Sequence, residues 1–151
     1  MGDFGIIVNK RALTNIILPN KLKLTVLKPT HENDYFLIMK EARTQLRQYF
    51  RGDLTNFNLK KELNIPTFYK NTLNAVESIA YGNTRSYKEI AINICSPNGH
   101  RAVANANAKN PIPIVIPCHR VVKSNGEFGN YGGGSMLKKN LLQFERFNIK
   151  E

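Results

Sequence analysis

Apolar and polar positions alternate in short runs at the start of the chain. Residues 4–8 (FGIIV), 12–18 (ALTNIIL) and 21–27 (KLKLTVL) are rich in β-branched residues and broken by Asn-Lys or Pro-Asn pairs. Such runs between turn residues predict strands, here a small antiparallel sheet. The period then changes. From His31 to Gly52, the apolar residues Tyr35, Ile38, Met39, Ala42, Leu46 and Phe50 recur at helical spacing. Asn33 or Asp34 serves as the expected cap, and Gly52 closes the helix. Sheet plus helix predicts an α+β N-terminal domain over residues 1–60, with a structural role. The polar stretch from Asp53 to Pro66 marks the boundary, and residues 65–151 form a second domain.

That second part reads as mostly helical. Phe68 to Ala80 places Leu73, Val76 and Ile79 or Ala80 on one face, and the Tyr81-Gly82 and Asn83-Thr84 pairs stop it. Ser86 caps a short helix from Tyr87 to Ile94 whose Ile90, Ala91 and Ile94 face inward, with Cys95 expected as an inert thiol at its buried end. Ser96-Pro97 has the residue types that open a helix, and the helix from His100 to Lys109 follows. Two helices joined by so tight a turn predict a helix-turn-helix, its second member the reader. The alanines at 102, 104, 106 and 108 favour helix and also keep it thin enough for a minor groove roughly 6 Å wide. Lys123 to Gly134 is glycine-rich and reads as a loop or wing. Met136 to Asn148 is the closing helix, with Leu137, Leu141, Leu142 and Phe144 as its apolar side.

Between reader and wing lies Asn110 to Val122, NPIPIVIPCHRVV. Pro111, Pro113 and Pro117 exclude a central strand or a helix interior, because proline lacks the backbone donor. A buried, extended segment that ends at Cys118, His119 and Arg120 is expected. Cations beside a cysteine favour its thiolate, the nucleophilic form. Taken alone, a Cys-His pair is more often structural than reactive.

Charge narrows the partners. The 151 residues carry a formal net charge of +11 and a sequence pI of about 9.8, which predicts attraction to polyanions, nucleic acid foremost. Charge by itself also allows a ribosomal or membrane-surface protein. Cys95 and Cys118 lack CxxC spacing and lie away from His31 and His100 in sequence, so no metal site is expected. A free reactive thiol belongs in a reducing compartment. No stretch reaches membrane-spanning length, and Ile6 stands where a myristoylation signal has Ser or Thr. The expectation is a cytoplasmic monomer that does not bind membranes.

The words SYKEIA (86–91), HRAVANANAKNPIP (100–113), PCHRVV (117–122) and GNYGGG (129–134), ending in LLQFERF (141–147), resemble the O6-alkylguanine-DNA alkyltransferases. The likeness begins at Tyr81-Gly82 and covers about half of the chain, with a weaker match at LRQYFRG. It implies double-stranded DNA containing O6-alkylguanine, and also O4-alkylthymine, as the partner. It further implies a single irreversible transfer of the alkyl group to Cys118, without a cofactor. Neighbours on an extended chain face opposite ways, so the Cys118 proton is expected to reach His119 through a water.

By the same resemblance Glu145 orients His119, Tyr87 donates a proton to the purine, and Lys138 assists that phenol. Asn110 is the hinge between reader and active site. The backbone of Val121 and the loop Tyr131-Gly132-Gly133 frame the base. Flipping the base out of the stack costs a few kcal/mol, and Arg101 matches the family's intruding arginine. Lys88, Ser96 at a helix start and Ser124 are candidate phosphate contacts, with Phe68 a weaker DNA candidate. Gly132 stands where a serine is frequent, so any contact to O6 there comes from backbone. The rival readings are an alkylated-DNA-binding protein without transfer, a helix-turn-helix regulator, and a cysteine hydrolase with repeated turnover.

Overall fold

The computed structural model describes residues 2–22 and 33–149. Strands β1 (Gly5–Val8) and β2 (Leu13–Ile17) form the expected antiparallel hairpin, in register Gly5↔Ile17 and Ile6↔Ile16, with an irregularity between Ile7 and Val8. The third expected strand departs from expectation at its start, since Pro19–Lys21 is a 3-10 turn. Its residues 23–27 lie outside the described residues, as do His31 and the side chains expected to cap the following helix. On its other side β2 meets the interdomain stretch: the Leu13 N–H donates to Lys60 O (2.9 Å) and the Glu62 N–H to Leu13 O (3.0 Å).

Helix α1 (Asn33–Arg51) ends at Gly52, whose φ of +79° suits only a residue without Cβ. Its buried stripe is Ala42, Leu46 and Tyr49, an i, i+4, i+7 set, whereas Phe50 is only partly buried. Helix α2 (Thr67–Glu77) buries Leu73 and Val76. Ser86 caps α3 (Tyr87–Asn93) in a capping box with Glu89: the Glu89 N–H donates to Ser86 Oγ (3.2 Å) and the Ser86 N–H to Glu89 Oε2 (2.7 Å). Helix α4 (His100–Ala108) buries Val103, Ala106 and Asn107 and packs on α2 and α3, giving the helix-turn-helix. A parallel bridge joins β3 (Arg85–Ser86) to β4 (Val121–Val122), and α5 (Ser135–Phe147) closes the fold. One hydrophobic core runs through both halves, from Leu13, Leu46 and Tyr49 to Val76, Ile90, Val103, Ile116 and Leu141.

Three local expectations fail for local reasons. The run Ile112–Ile116 is buried but not extended. It folds into a tight turn in which the Ile116 N–H donates to Ile112 O (2.9 Å) and Ile114 takes φ +76°. A β-branched residue in that region is strained by about 1–3 kcal/mol, and such strain gathers at functional sites where packing enforces it. Cys95 is exposed rather than buried, because the chain reverses there with φ +58°. Ser96 does not cap α4; Gly99 is the N-cap, and Ser96-Pro97 belong to the preceding turn, where the Gly99 N–H donates to Ser96 O (2.7 Å).

Candidate active site and nucleic-acid interface

Cys118 opens a 3-10 turn, Cys118–Arg120, directly after Pro117. The expected alternation of Cys118 and His119 on an extended chain therefore does not apply, and the turn sets their directions instead. Asn107 from α4 donates its amide to Cys118 O (3.2 Å). Asn110 holds the turn at both ends, donating to Ile116 O (2.8 Å) and accepting from the Ile112 N–H (3.0 Å). Asn110, two residues beyond the end of α4, thus braces the turn before Cys118 through its side chain.

His119 and Arg120 both turn inward to Glu145 on α5, and all three are buried. His119 Nε2 lies 2.8 Å from Glu145 Oε1; Arg120 adds Nε to Oε2 and Nη2 to Oε1, each at 2.9 Å. The Gly82 N–H donates to Oε2 (3.1 Å), and the Tyr49 hydroxyl of α1 donates to Oε1 (2.7 Å). Glu145 therefore collects four partners from three separate parts of the chain. Burial by itself would raise its pKa, but the His119 and Arg120 hydrogen bonds and charges bring it down to about 2. A carboxylate only accepts, so neutral His119 carries its proton on Nε2 and its lone pair on Nδ1. That Nδ1 is buried and has no hydrogen-bond partner among the described residues. Burial also lowers the His119 pKa, with Glu145 opposing, so the imidazole is neutral at physiological pH and free to accept a proton.

The thiol differs from expectation. Burial pushes Cys118 up to about 11, while the Asn110 side chain, the Lys138 charge and backbone amides act the other way. Neighbouring cations do not make a resting thiolate here, because desolvation outweighs them. Lys138 is buried, donates to Val121 O (2.5 Å), and is lowered to about 8 by burial against the pull of the Cys118 charge. Its ammonium is held on the Val121 carbonyl, and its charge acts on Cys118. The Val121 carbonyl, part of the backbone expected to frame the base, already accepts this one hydrogen bond.

Tyr87 is half-buried, and its hydroxyl lies 3.1 Å from the position a Cβ on Gly129 would occupy. Burial, then the Cys118 charge, raise its pKa, and the Asn107 side chain acts the other way, so the phenol keeps its proton. Tyr131 and Gly132 line the cavity that holds Cys118 and Asn110, about 330 Å3 in volume. Val121 and Gly133 are not among its lining residues; Gly133 packs on Leu137, Tyr131 and Leu18.

The basic candidates separate by place. Lys88 and Ser124 converge with Tyr87, His100 and Lys123 around one shallow depression. Arg101 is exposed at the second position of α4. Ser96 sits before that helix, with Oγ 2.4 Å from where a Gly99 Cβ would stand. Phe68 is partly buried, packing against the core beside Tyr69. Sequence reading missed Tyr49, Arg120, Gly82 and Asn107. The i+7 spacing of Tyr49 from Ala42 could have placed it in the core, and Arg120 was legible only as a cation near Cys118, but nothing local pointed any of the four at Glu145.

A helix-turn-helix with a basic face and a pocketed cysteine backed by a His–Glu pair defines a DNA-binding protein with a nucleophilic thiol. Residues 67–147 match the family model of the 6-O-methylguanine DNA methyltransferase DNA-binding domain. The chain is 40% identical over 143 residues to a methylated-DNA–protein-cysteine methyltransferase of Methanosarcina barkeri, covering 94% of this chain and 89% of that one. It is 47% identical over 105 residues to the Mycolicibacterium paratuberculosis protein of that name, covering 70% and 64%. Its fold is similar to the crystal structure of Mycobacterium tuberculosis OGT in complex with DNA, with TM-score 0.80, 37% identity, and 95% and 86% coverage. The chain belongs to the methylated-DNA–protein-cysteine methyltransferase family. Among the described residues, no helix is long and apolar enough to cross a membrane.

Proposed function

We propose that this protein repairs double-stranded DNA by moving the alkyl group of O6-alkylguanine onto Cys118, once per molecule. The observation that carries this reading is the buried thiol in a cavity beside the reading helix, next to an imidazole whose only free nitrogen is its lone-pair side. The thiol proton passes to His119 Nδ1 through a water, and Glu145 stabilises the imidazolium that forms. Lys138 favours the nascent thiolate, which burial disfavours. Sγ attacks the alkyl carbon, the S–C bond forms, the C–O6 bond breaks, and its electron pair goes to guanine O6. Tyr87 supplies the proton that the purine takes up. The thioether resists water, so the protein is spent.

Arg101 fills the stack when the guanine is flipped, and Lys88, Ser124 and Ser96 meet phosphates near the lesion. Tyr131 and Gly132 border the flipped base, with the backbone of Val121 and Gly133 behind them. Residues 1–60 and 65–151 serve as a supporting unit and an acceptor unit, in one monomer. A thiol that must stay free suits the cytoplasm. Mass spectrometry after incubation with O6-methylguanine duplex tests the proposal. A single added methyl on Cys118, absent from Cys118→Ser, is expected; a methyl on Cys95 or continued turnover refutes it.

A further inference from the structure

Asn107 holds a buried acceptor that alkyl transfer as proposed above leaves idle. The residue is 4% exposed on α4 and lines the cavity that also holds Cys118, Tyr131 and Gly132. Its amide nitrogen is committed, donating to Cys118 O (3.2 Å). A carbonyl oxygen only accepts, so Nδ2 is the atom that meets Cys118 O, and Oδ1 is the other end of the amide. That Oδ1 is buried and has no hydrogen-bond partner among the described residues. Buried polar atoms left without a partner are few in folded proteins, because the desolvation they suffer is not repaid. His119 Nδ1 is unpaired in the same way, but it has a task in taking up the thiol proton. Asn107 also interacts with the Tyr87 phenol. One side chain therefore engages both the backbone of the alkyl acceptor and the proton donor to the purine.

The donor that Oδ1 lacks follows from the chemistry of the lesion. Alkylation at O6 takes the proton off N1, so N1, N3 and N7 of the base all accept. The exocyclic 2-amino group is the one donor the base retains. O6-alkylhypoxanthine and O4-alkylthymine have none. We infer that Asn107 Oδ1 accepts a hydrogen bond from the 2-amino group of the flipped O6-alkylguanine, which makes Asn107 a specificity-determining residue for alkylated 2-aminopurines. A base without the amine leaves Oδ1 buried and unpaired, and a site built around a hydrogen bond rejects an analogue that cannot make it. Asn107 lies on the reading helix one turn before Asn110, so the helix that docks on DNA also carries the reader of the base. This inference rests on Cys118 being the acceptor and on the guanine entering its cavity.

Single-turnover methyl transfer from duplexes holding O6-methylguanine or O6-methylhypoxanthine opposite cytosine tests it, in the wild type, Asn107→Leu, Asn107→Ala and Asn107→Asp. The two bases differ only in the amine, and comparing one rate ratio across variants cancels any difference in flipping cost. The guanine-to-hypoxanthine ratio is expected to fall about tenfold in Asn107→Leu and Asn107→Ala, as loss of one hydrogen bond gives, and to persist in Asn107→Asp, which keeps an acceptor. Both bases should also slow together, because the Cys118 carbonyl loses its donor. Common slowing with a constant ratio in Asn107→Leu and Asn107→Ala, the outcome of a purely structural role or of a water on Oδ1, overturns the inference. Asn107→Ala adds no bulk, so the ratio is still read if Asn107→Leu does not fold. A wild type that transfers from neither base breaks the acceptor assignment and this inference with it, whereas transfer with a constant ratio breaks the inference alone.

Discussion

The hydroxyl of Tyr49 donates to Glu145 Oε1 across 2.7 Å, although 96 residues separate them in sequence. Tyr49 is fully buried on α1, in the half of the chain that sequence reading left without chemistry. Its phenol is pushed up well beyond its ordinary pKa by burial and by the Glu145 charge, so it remains a donor at every accessible pH. The N-terminal half thus reaches the carboxylate that orients His119.

Tyr49→Phe keeps the ring and its aromatic neighbours Phe50, Phe57 and Phe144 while deleting that donor. A hydrogen bond to a charged group contributes about 1.5–3 kcal/mol. A melting midpoint lower by about 2–4 °C per kcal/mol follows for a chain of this size. Methyl transfer should slow as well, because Glu145 is less firmly placed. An unchanged midpoint together with an unchanged rate would remove Tyr49 from the network.

Acid stability should depend on Glu145. Its carboxyl sits near pH 2 in the folded protein against 4.5 for the ordinary group. A depressed carboxylate contributes stability that is fully present above about pH 4.5 and is lost as pH falls through 2. Denaturant titrations from pH 6 downward should show that loss in wild type and a flatter profile in Glu145→Gln. The variant should also be less stable at neutral pH by about 3–5 kcal/mol, because Arg120 is left buried without its partner. A wild-type profile no steeper than the variant's would contradict the assignment.

The two thiols should separate under mild alkylation. Cys95 is exposed and Cys118 is buried with a pKa near 11. Iodoacetamide at neutral pH should label Cys95 first, and labelling of Cys118 should keep rising toward pH 11. Cys95→Ser should leave methyl transfer intact. Peptide mapping reads both outcomes, and faster labelling of Cys118 at pH 7 would mean that its thiolate is present at rest.

Arg101 stands exposed at the start of α4, clear of the Cys118 cavity. Arg101→Ala should slow repair of duplex O6-methylguanine far more than reaction with free O6-benzylguanine, since only the duplex demands base flipping. Equal losses on both substrates would give Arg101 a different task.

Local pattern alone determined the hairpin, the helices and the helix-turn-helix, because β-branched runs, i/i+4 apolar spacing and the Ser86–Glu89 capping box act within a few residues. The words around Cys118 also marked the nucleophile and, by resemblance, His119, Glu145 and Asn110. Sequence could not set the environment of these groups. Whether the thiol rests as thiolate depends on desolvation against the Lys138 charge, and both are properties of the packed interior. The convergence of Tyr49, Gly82, His119 and Arg120 on Glu145 joins segments that no periodicity relates. Likewise, the hairpin became part of the Cys118 cavity only when Ile16 docked on Pro111 and Asn20 on Gly132. Chain connectivity sets the elements, but long-range burial decides which charges meet and how strongly each is held.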